Sequence, residues 1–233
     1  MIDKTVANCA EAVKDVFDGA TIMVGGFGNP GVPARLIEAL RAQGAKNLTA
    51  IHNGAGSDEF GLGVLFVGGQ VRKLIASFLN RGRASAFRDQ YAKGEVELEL
   101  LPQGTLAERI RAAGAGIGGF YTRTAVGTKL AAGKETRVLD GREYVFERPL
   151  HADFALIKAH KADRLGNLCY RLSMRNFNAV MASAAKVVIA EVDEIVPVGA
   201  LPPDGIHTPG IFVDRVVEVE RHPRHFVKKG GAK

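Results

Sequence analysis

Short apolar runs and helical patterns alternate along the first part of the chain. Thr21–Val24 and Leu48–Ile51 are short, mostly apolar runs of the kind found in strands buried on both faces. Between them, residues 34–40 carry apolar positions three and four apart, which predicts a helix directly after Pro33. Because strands that alternate with helices favour parallel βαβ units, the sequence predicts an α/β fold.

The same patterns place the other elements. Helical spacing predicts helices over residues 5–17, 84–93 and 174–185 and one that begins after Pro102, and apolar or alternating runs predict strands over residues 71–78, 96–101, 152–159 and 187–192. Asp140-Gly141 predicts the turn of a hairpin over residues 138–146, and residues 211–219 read as a last extended segment. We expect one three-layer α/β/α domain over residues 1–220, with a largely parallel sheet.

Composition is that of an ordinary soluble globular chain, with 233 residues of which 46% are hydrophobic and 24% charged. The formal net charge is +6, but five of these charges lie in residues 221–233, which contain no acidic residue. We therefore expect residues 221–233 to form a disordered basic tail, and the nearly neutral remainder gives no reason to expect a nucleic-acid partner.

Cysteine usage and the N-terminal segment bear on the compartment. Cys9 and Cys169 are far apart and have no metal-ligand spacing, which predicts neither a disulfide framework nor a metal site. Asp3, Glu11 and Lys14 interrupt the N-terminal apolar pattern, and no stretch approaches a membrane span. The sequence thus predicts a cytoplasmic protein that is not embedded in a membrane.

Three predicted strands end in polar or glycine-rich loops. The first is followed by glycines over residues 25–31, the second by His52-Asn53-Gly54, and the strand over residues 96–101 by Pro102-Gln103. In a parallel sheet these carboxyl ends meet at one edge, where glycines allow a ligand to approach bare backbone N–H groups. We therefore expect the functional site at this edge.

Gly26-Phe27-Gly28-Asn29-Pro30-Gly31 matches the G-x-G-x-x-G pattern of dinucleotide-binding proteins and lies between a strand and a helix, as that pattern requires. A dinucleotide-dependent oxidoreductase is therefore one alternative. The second strand should then be followed by an acid that binds the ribose, but His52 and Asn53 stand there. Pro30 and Pro33 also stiffen a turn that the pattern leaves to glycine.

The full stretch resembles the glycine-rich signature of the first of the two subunits of family I coenzyme A transferases, in particular those acting on 3-oxoacids and 3-oxoadipate. The matching residues are Asp18-Gly19, Ile22-Met23-Val24, Gly25-Gly26-Phe27 and Gly31-Val32-Pro33, followed in order by residues 102–109, 152–159, 162–167 and 207–211. The likeness extends to about Val219. It implies the fold of that family for residues 1–220.

The resemblance implies a known chemistry, in which a glutamate attacks an acyl-CoA thioester and becomes a glutamyl-CoA thioester. CoA and acyl-CoA are substrates, and no further cofactor is implied. The resemblance assigns oxyanion stabilisation to Gln103, a role for which a side-chain amide is suited. It implies that substrate or CoA is bound at six positions: Gly25, Gly26, Phe27, Gly28, Gly31 and Asn53.

The nucleophile is missing from the sequence. In the family it lies in a Ser-Glu-Asn-Gly type motif on the second subunit, and this chain has no such motif. The resemblance therefore implies that the partner is the second CoA-transferase subunit, which carries the catalytic Glu, in a heterodimer or heterotetramer. Glu59 is the only local substitute, and a solvated loop acid is the favoured interpretation of it.

The sequence departs from the family pattern in residues 52–56 and 120–125, two loops expected to face the acyl group, so it does not identify the acceptor acid. Arg123, in the second loop, is either a partner for a dicarboxylic acceptor or, as we favour, a solvated residue. A non-catalytic ligand-binding protein of this fold is a further alternative.

Four other side chains are interpreted mainly as structural. We expect His151, before a strand, and His160, after one, to be surface or capping residues. Phe27 is expected to pack beneath the glycine turn, residues 25–31, rather than to stack on a ligand. Lys158, at the end of a buried strand, is interpreted equally well as a structural residue or as a partner for a carboxylate in the site or at the subunit interface.

Overall fold

The computed structural model describes residues 2–79 and 84–220. Its main sheet has the strand order β11-β10-β8-β1-β2-β3-β4, with every neighbouring pair parallel, while β9 pairs antiparallel with β8. The strands are β1 Thr21–Val24, β2 Leu48–Ile51, β3 Val71–Ala76, β4 Glu97–Leu100, β8 Ala152–Asp163, β9 Leu168–Cys169, β10 Ala185–Val196 and β11 Arg215–Glu218. The predicted largely parallel sheet is confirmed.

Helices cover both faces of this sheet. They are α1 Cys9–Ala12, α2 Ala34–Gln43, α3 Gly63–Val67, α4 Ser85–Ala92, α5 Gln103–Gly114 and α6 Asn176–Met181. Successive residues of β1 point to opposite faces, so Ile22 and Val24 join the core under α1–α4 and Met23 joins the core under α5 and α6. The predicted three-layer α/β/α architecture is therefore confirmed.

The strand order places the glycine turn at a topological switch point. From β1 the chain builds the sheet outward to β4 and then returns to β8, on the other side of β1. In open α/β sheets the crevice at the carboxyl ends of two such strands is where ligands bind. The turn after Val24 lies at this switch point, at the carboxyl end of β1.

A second, antiparallel sheet has the order β5-β7-β6 and lies between α5 and β8 in the chain. Its strands are β5 Phe120–Thr122, β6 Thr136–Leu139 and β7 Arg142–Glu147. Asp140 and Gly141 have φ of 48° and 71°, which matches the two-residue turn that Asp-Gly favours. The predicted hairpin is confirmed, with β5 as an additional strand.

The predicted helix over residues 5–17 is wrong in extent, because only Cys9–Ala12 is α-helical. Val6 N–H donates to Val216 O, and Val216 N–H donates to Lys4 O, so the first residues pair with β11. Backbone groups used in a sheet cannot also form helical hydrogen bonds.

Other boundaries also differ from the predictions. Residues 174–185 divide into a 3₁₀ turn, Leu172–Arg175, helix α6, and the start of β10 at Ala185, which pairs with Ala152. β8 continues to Asp163, so Lys158 and His160 lie inside it. Residues 211–219 contain a 3₁₀ turn, Gly210–Phe212, before β11. The predicted tail over residues 221–233 lies outside the described residues.

None of the helices in residues 2–79 and 84–220 combines the length and the apolar composition that a membrane span needs.

Candidate functional site

The glycine turn continues β1 and then reverses direction before α2. Gly25 N–H donates to Leu156 O (2.9 Å), and Phe27 N–H donates to Pro30 O (3.1 Å), closing the turn. Gly26, Gly28 and Gly31 have φ of 109°, 63° and 75°. These left-handed conformations explain why the turn needs glycine.

The four glycines of the turn have different surroundings. A Cβ on Gly25 would overlap Asn178 Oδ1, a Cβ on Gly26 would lie 2.6 Å from Val32 Cγ2, and a Cβ on Gly31 would lie 2.6 Å from Asn178 Nδ2. A Cβ on Gly28 would have only Pro30 Cδ, 4.0 Å away, as a neighbour. Gly28 is therefore the glycine of the turn whose open side faces space rather than packed protein.

Asn178, on α6, is the buried side chain against which the turn packs. Its Oδ1 accepts from Lys158 N–H (2.9 Å), and its Nδ2 donates to Gly31 O (2.9 Å) and Met174 O (2.7 Å). Because the amide bonds to both β8 and the turn, it ties the glycine turn to the central sheet.

The N-terminus of α2 is capped by a buried carboxylate from β10. Glu191 Oε2 accepts from Arg35 N–H (2.8 Å) and Leu36 N–H (3.0 Å), and Glu191 is fully buried. Burial raises the pKa of the Glu191 carboxyl, against the opposing effects of Lys158 and the two N–H donors. These N–H groups are where a dinucleotide pyrophosphate would bind. With a carboxylate already there, and no acid directly after β2, the dinucleotide alternative is not supported.

Lys158 meets two carboxylates of its own chain. Its Nζ lies 2.7 Å from Asp193 Oδ1 and 3.4 Å from Glu191 Oε1, and the lysine side chain has no exposed surface. Both carboxylates lie on the neighbouring strand β10, and Lys158 lies in the middle of β8, not at its end. His160 Nδ1 lies 3.2 Å from Asp193 Oδ2 in the same cluster, whereas His151 is exposed.

Asn53 and Gln103 are brought together from two different strand ends. Gln103 Nε2 donates to Asn53 Oδ1 (2.7 Å), which also accepts from Ser77 Oγ (2.9 Å). Asn53 is buried, and its carbonyl oxygen accepts from Phe78 N–H. Gln103 is exposed at the first residue of α5, so its amide faces the same edge of the sheet as the glycine turn.

A cavity of about 440 Å³ lies between the glycine turn and the loop after β2. Its described lining residues are Gly28, Asn29, Val32, His52, Gly56, Ser57, Phe60, Gly61, Leu62, Phe78 and Leu79. His52 is buried, and its Nδ1 lies 2.7 Å from Val24 O, the last residue of β1. It thus connects the loop that holds Asn53 to the start of the glycine turn.

His52 should make folding sensitive to acid. Burial lowers its pKa in the folded protein, although the Val24 carbonyl opposes this. Below a pKa of about 6.5, the value of an unperturbed histidine, His52 of the unfolded chain binds a proton that the folded chain excludes. The free energy of unfolding therefore falls as the pH is lowered. We expect Tm to fall more between about pH 7.5 and about pH 5.5 for the wild type than for His52→Gln. His151→Gln is the exposed control, and equal pH dependence of wild type and His52→Gln would contradict this expectation.

The expectation that Phe27 packs beneath the turn is wrong. Its side chain is 49% exposed, because the turn directs it outward, and Phe78 on the cavity wall is 55% exposed. Glu59 is also exposed and borders a separate surface pocket with Glu38 and Arg41.

The loop at residues 120–125 contributes no described residue to the cavity lining. Phe120–Thr122 instead pairs with β7 in the small sheet, and Arg123 is exposed. Whether Arg123 meets an acceptor acid stays a prediction.

Sequence reasoning overlooked Asn178 and Glu191. Glu191 had a detectable signal, since it interrupts an apolar strand pattern just as Lys158 interrupts that of β8, and two opposite charges in adjacent buried strands suggest a pair. Asn178 had none, because an asparagine in a predicted helix usually indicates an exposed position.

Comparison with known proteins gives matches over nearly the whole chain. A family model described as Coenzyme A transferase matches residues 6–219. The chain is 57% identical to the A subunit of the 3-oxoadipate CoA-transferase of Pseudomonas putida over 219 residues, which are 94% of this chain and 95% of that protein. It is 45% identical to the human mitochondrial succinyl-CoA:3-ketoacid coenzyme A transferase 2, over 95% of this chain and 46% of that protein.

Among solved structures, the fold is similar to that of an acyl-CoA transferase from Escherichia coli O157:H7. The TM-score is 0.84 at 24% identity, and the match covers 99% of this chain and 49% of that one.

Proposed function

This chain belongs to the coenzyme A transferase family, and from that membership we propose that it is the first subunit of a heteromeric enzyme that moves CoA from succinyl-CoA to a 3-oxo acid. The acceptor is 3-oxoadipate or acetoacetate. Relatives named for 3-oxoadipate and for 3-ketoacids both support this substrate class. We further propose that the heteromer is cytoplasmic.

The observation that carries the proposal is the amide pair of Gln103 and Asn53. One N–H of the Gln103 amide is used by Asn53 Oδ1. Because a primary amide has two N–H groups, the second is left for an oxygen of the substrate. Asn53, which is itself held by Ser77, fixes the Gln103 amide, so that the donor is oriented before the negative charge develops. Such preorganised donors stabilise oxyanions most effectively.

The proposed reaction uses this donor at each step that places charge on oxygen. A glutamate carboxylate attacks the thioester carbonyl carbon, the C–S bond breaks, and an acyl-glutamyl anhydride and CoA thiolate form. The thiolate attacks the glutamyl carbonyl and expels succinate, giving a glutamyl-CoA thioester. The acceptor carboxylate then reverses both steps and leaves as its CoA ester, regenerating the glutamate.

The partner has to supply this glutamate. The described residues that line the cavity include no Asp or Glu. Glu191 is fully buried and bonded to α2, and Glu59 borders a different pocket.

Exposed Phe27 and Phe78 are suited to being covered by a partner chain. We propose a heterodimer or heterotetramer with the second CoA-transferase subunit.

The experiment that tests the function is co-expression with the candidate second subunit. We expect succinyl-CoA transfer by the heteromer and none by the chain alone, since only the partner carries a nucleophile. Incubation with succinyl-CoA followed by peptide mass spectrometry should find the glutamyl-CoA adduct on the partner. An adduct on this chain, for example on Glu59, would overturn the division of roles.

A panel of acceptor acids then identifies the substrate. Faster transfer to 3-oxoadipate than to acetoacetate would assign a dicarboxylic acceptor, and the reverse would assign a monocarboxylic one. A folded heteromer without transfer to any 3-oxo acid would favour the non-catalytic alternative.

A further inference from the structure

Two buried polar side chains hold the end of the glycine turn and the start of the helix that follows it. Asn178 binds the carbonyl oxygen of Gly31, and Glu191 binds the first N–H groups of α2, which follows the turn directly. Both side chains meet at Lys158, whose backbone N–H donates to Asn178 and whose ammonium lies 3.4 Å from the Glu191 carboxylate. The turn is therefore held by a single connected network.

Fold stability alone does not explain a fully buried ion pair in this network. Removing two charges from water costs free energy that their mutual attraction often does not offset. Replacing a buried ion pair with apolar side chains of similar volume is therefore frequently neutral or stabilising. The same two strands carry a second pair, Lys161 and Glu194, three residues further along. That pair is partly solvent-exposed, so a lysine–glutamate pairing in these strands does not require burial.

We propose that Glu191 is a positioning residue for the transfer reaction, which acts by capping α2 and so fixing the backbone of residues 25–33. This inference rests on the proposed function, because that backbone forms one wall of the cavity in which the thioester and the partner's glutamate meet. Glu191 touches no substrate. Its effect passes through the helix start to Gly28, whose open side faces the cavity.

The test compares two variants of similar side-chain shape, one with an oxygen at the cap of α2 and one without it. Lys158→Met with Glu191→Gln removes both charges but keeps an oxygen able to accept from Arg35 and Leu36. Lys158→Met with Glu191→Met has nearly the same shape and no such acceptor. Asp193 loses Lys158 in both variants, so its cost cancels in the comparison. Lys161→Met with Glu194→Met is the matched control in the exposed pair.

We expect the Gln variant to keep kcat within about threefold of the wild-type heteromer and the Met variant to have a kcat about tenfold lower, with the KM for succinyl-CoA unchanged in both. A displacement of about 1 Å can cost more than this in rate. Hydrogen exchange of residues 33–37 should be faster in the Met variant. The exposed-pair control should match the wild type.

A purely structural role gives a different result. The Met variant would then have a lower Tm but full kcat per folded heteromer, and that outcome overturns the proposal. If the double variants fail to assemble, Glu191→Gln and Glu191→Met are compared singly, since Asp193 still pairs with Lys158 there. An inactive wild-type heteromer would instead refute the proposed function, whereas the hydrogen-exchange comparison would still test the cap.

Discussion

Gln103→Ala is expected to lower kcat of the heteromer by about 100-fold or more while leaving the KM for succinyl-CoA nearly unchanged. The substitution removes an amide donor that is used when the carbonyl oxygen becomes negatively charged, and hardly before. Since Gln103 is exposed and begins α5, the fold should tolerate the change. Steady-state kinetics on the purified heteromer measures both constants.

Gln90→Ala is the control for this prediction, because Gln90 also donates a side-chain N–H to an oxygen, Phe66 O, but does so from α4. It should leave kcat unchanged. A loss in Gln103→Ala that is confined to KM would assign the amide to ground-state binding, and an unchanged kcat would remove Gln103 from the reaction.

Gly28→Ala is expected to leave the heteromer assembled while lowering kcat by about 100-fold. The added methyl would meet only Pro30 Cδ, at 4.0 Å, so there is room for it within the chain itself. It would project into the cavity, however, and displace the reacting groups, for which about 1 Å is enough to cost such a factor. The positive φ of 63° adds a stability cost of about 1 kcal/mol.

Gly44→Ala separates these two effects. Gly44 ends α2 with φ of 91° and has no atom within 4 Å of an added Cβ. An alanine there therefore has the same unfavourable backbone conformation but lies away from the cavity. We expect a lower Tm and normal kcat for Gly44→Ala. If Gly28→Ala behaved in the same way, with full activity per folded heteromer, the turn would be a fold element only.

The order and type of most elements could be predicted from the sequence, because local periodicity reports which faces of a strand or helix are buried. The short runs at β1 and β2 and the Asp140-Gly141 turn are examples. Failures occurred where distant residues decided the outcome. Residues 4–6 pair with β11, a partner more than 200 residues away, and local helical spacing does not register such pairing.

For the candidate site too, some features follow from the local sequence and others depend on contacts between distant residues. The sequence by itself determined the family, the glycine turn, and the presence of polar groups at three strand ends, since these depend on residue identity and order. Only the tertiary structure decided that Gln103 bonds to Asn53, that Phe27 faces outward, and that Glu191 caps α2. The hydrogen bond between Gln103 and Asn53 joins residues 50 positions apart, and the cap formed by Glu191 joins residues up to 156 positions apart. The strand order that brings them together is set by packing of the whole sheet rather than by any local pattern.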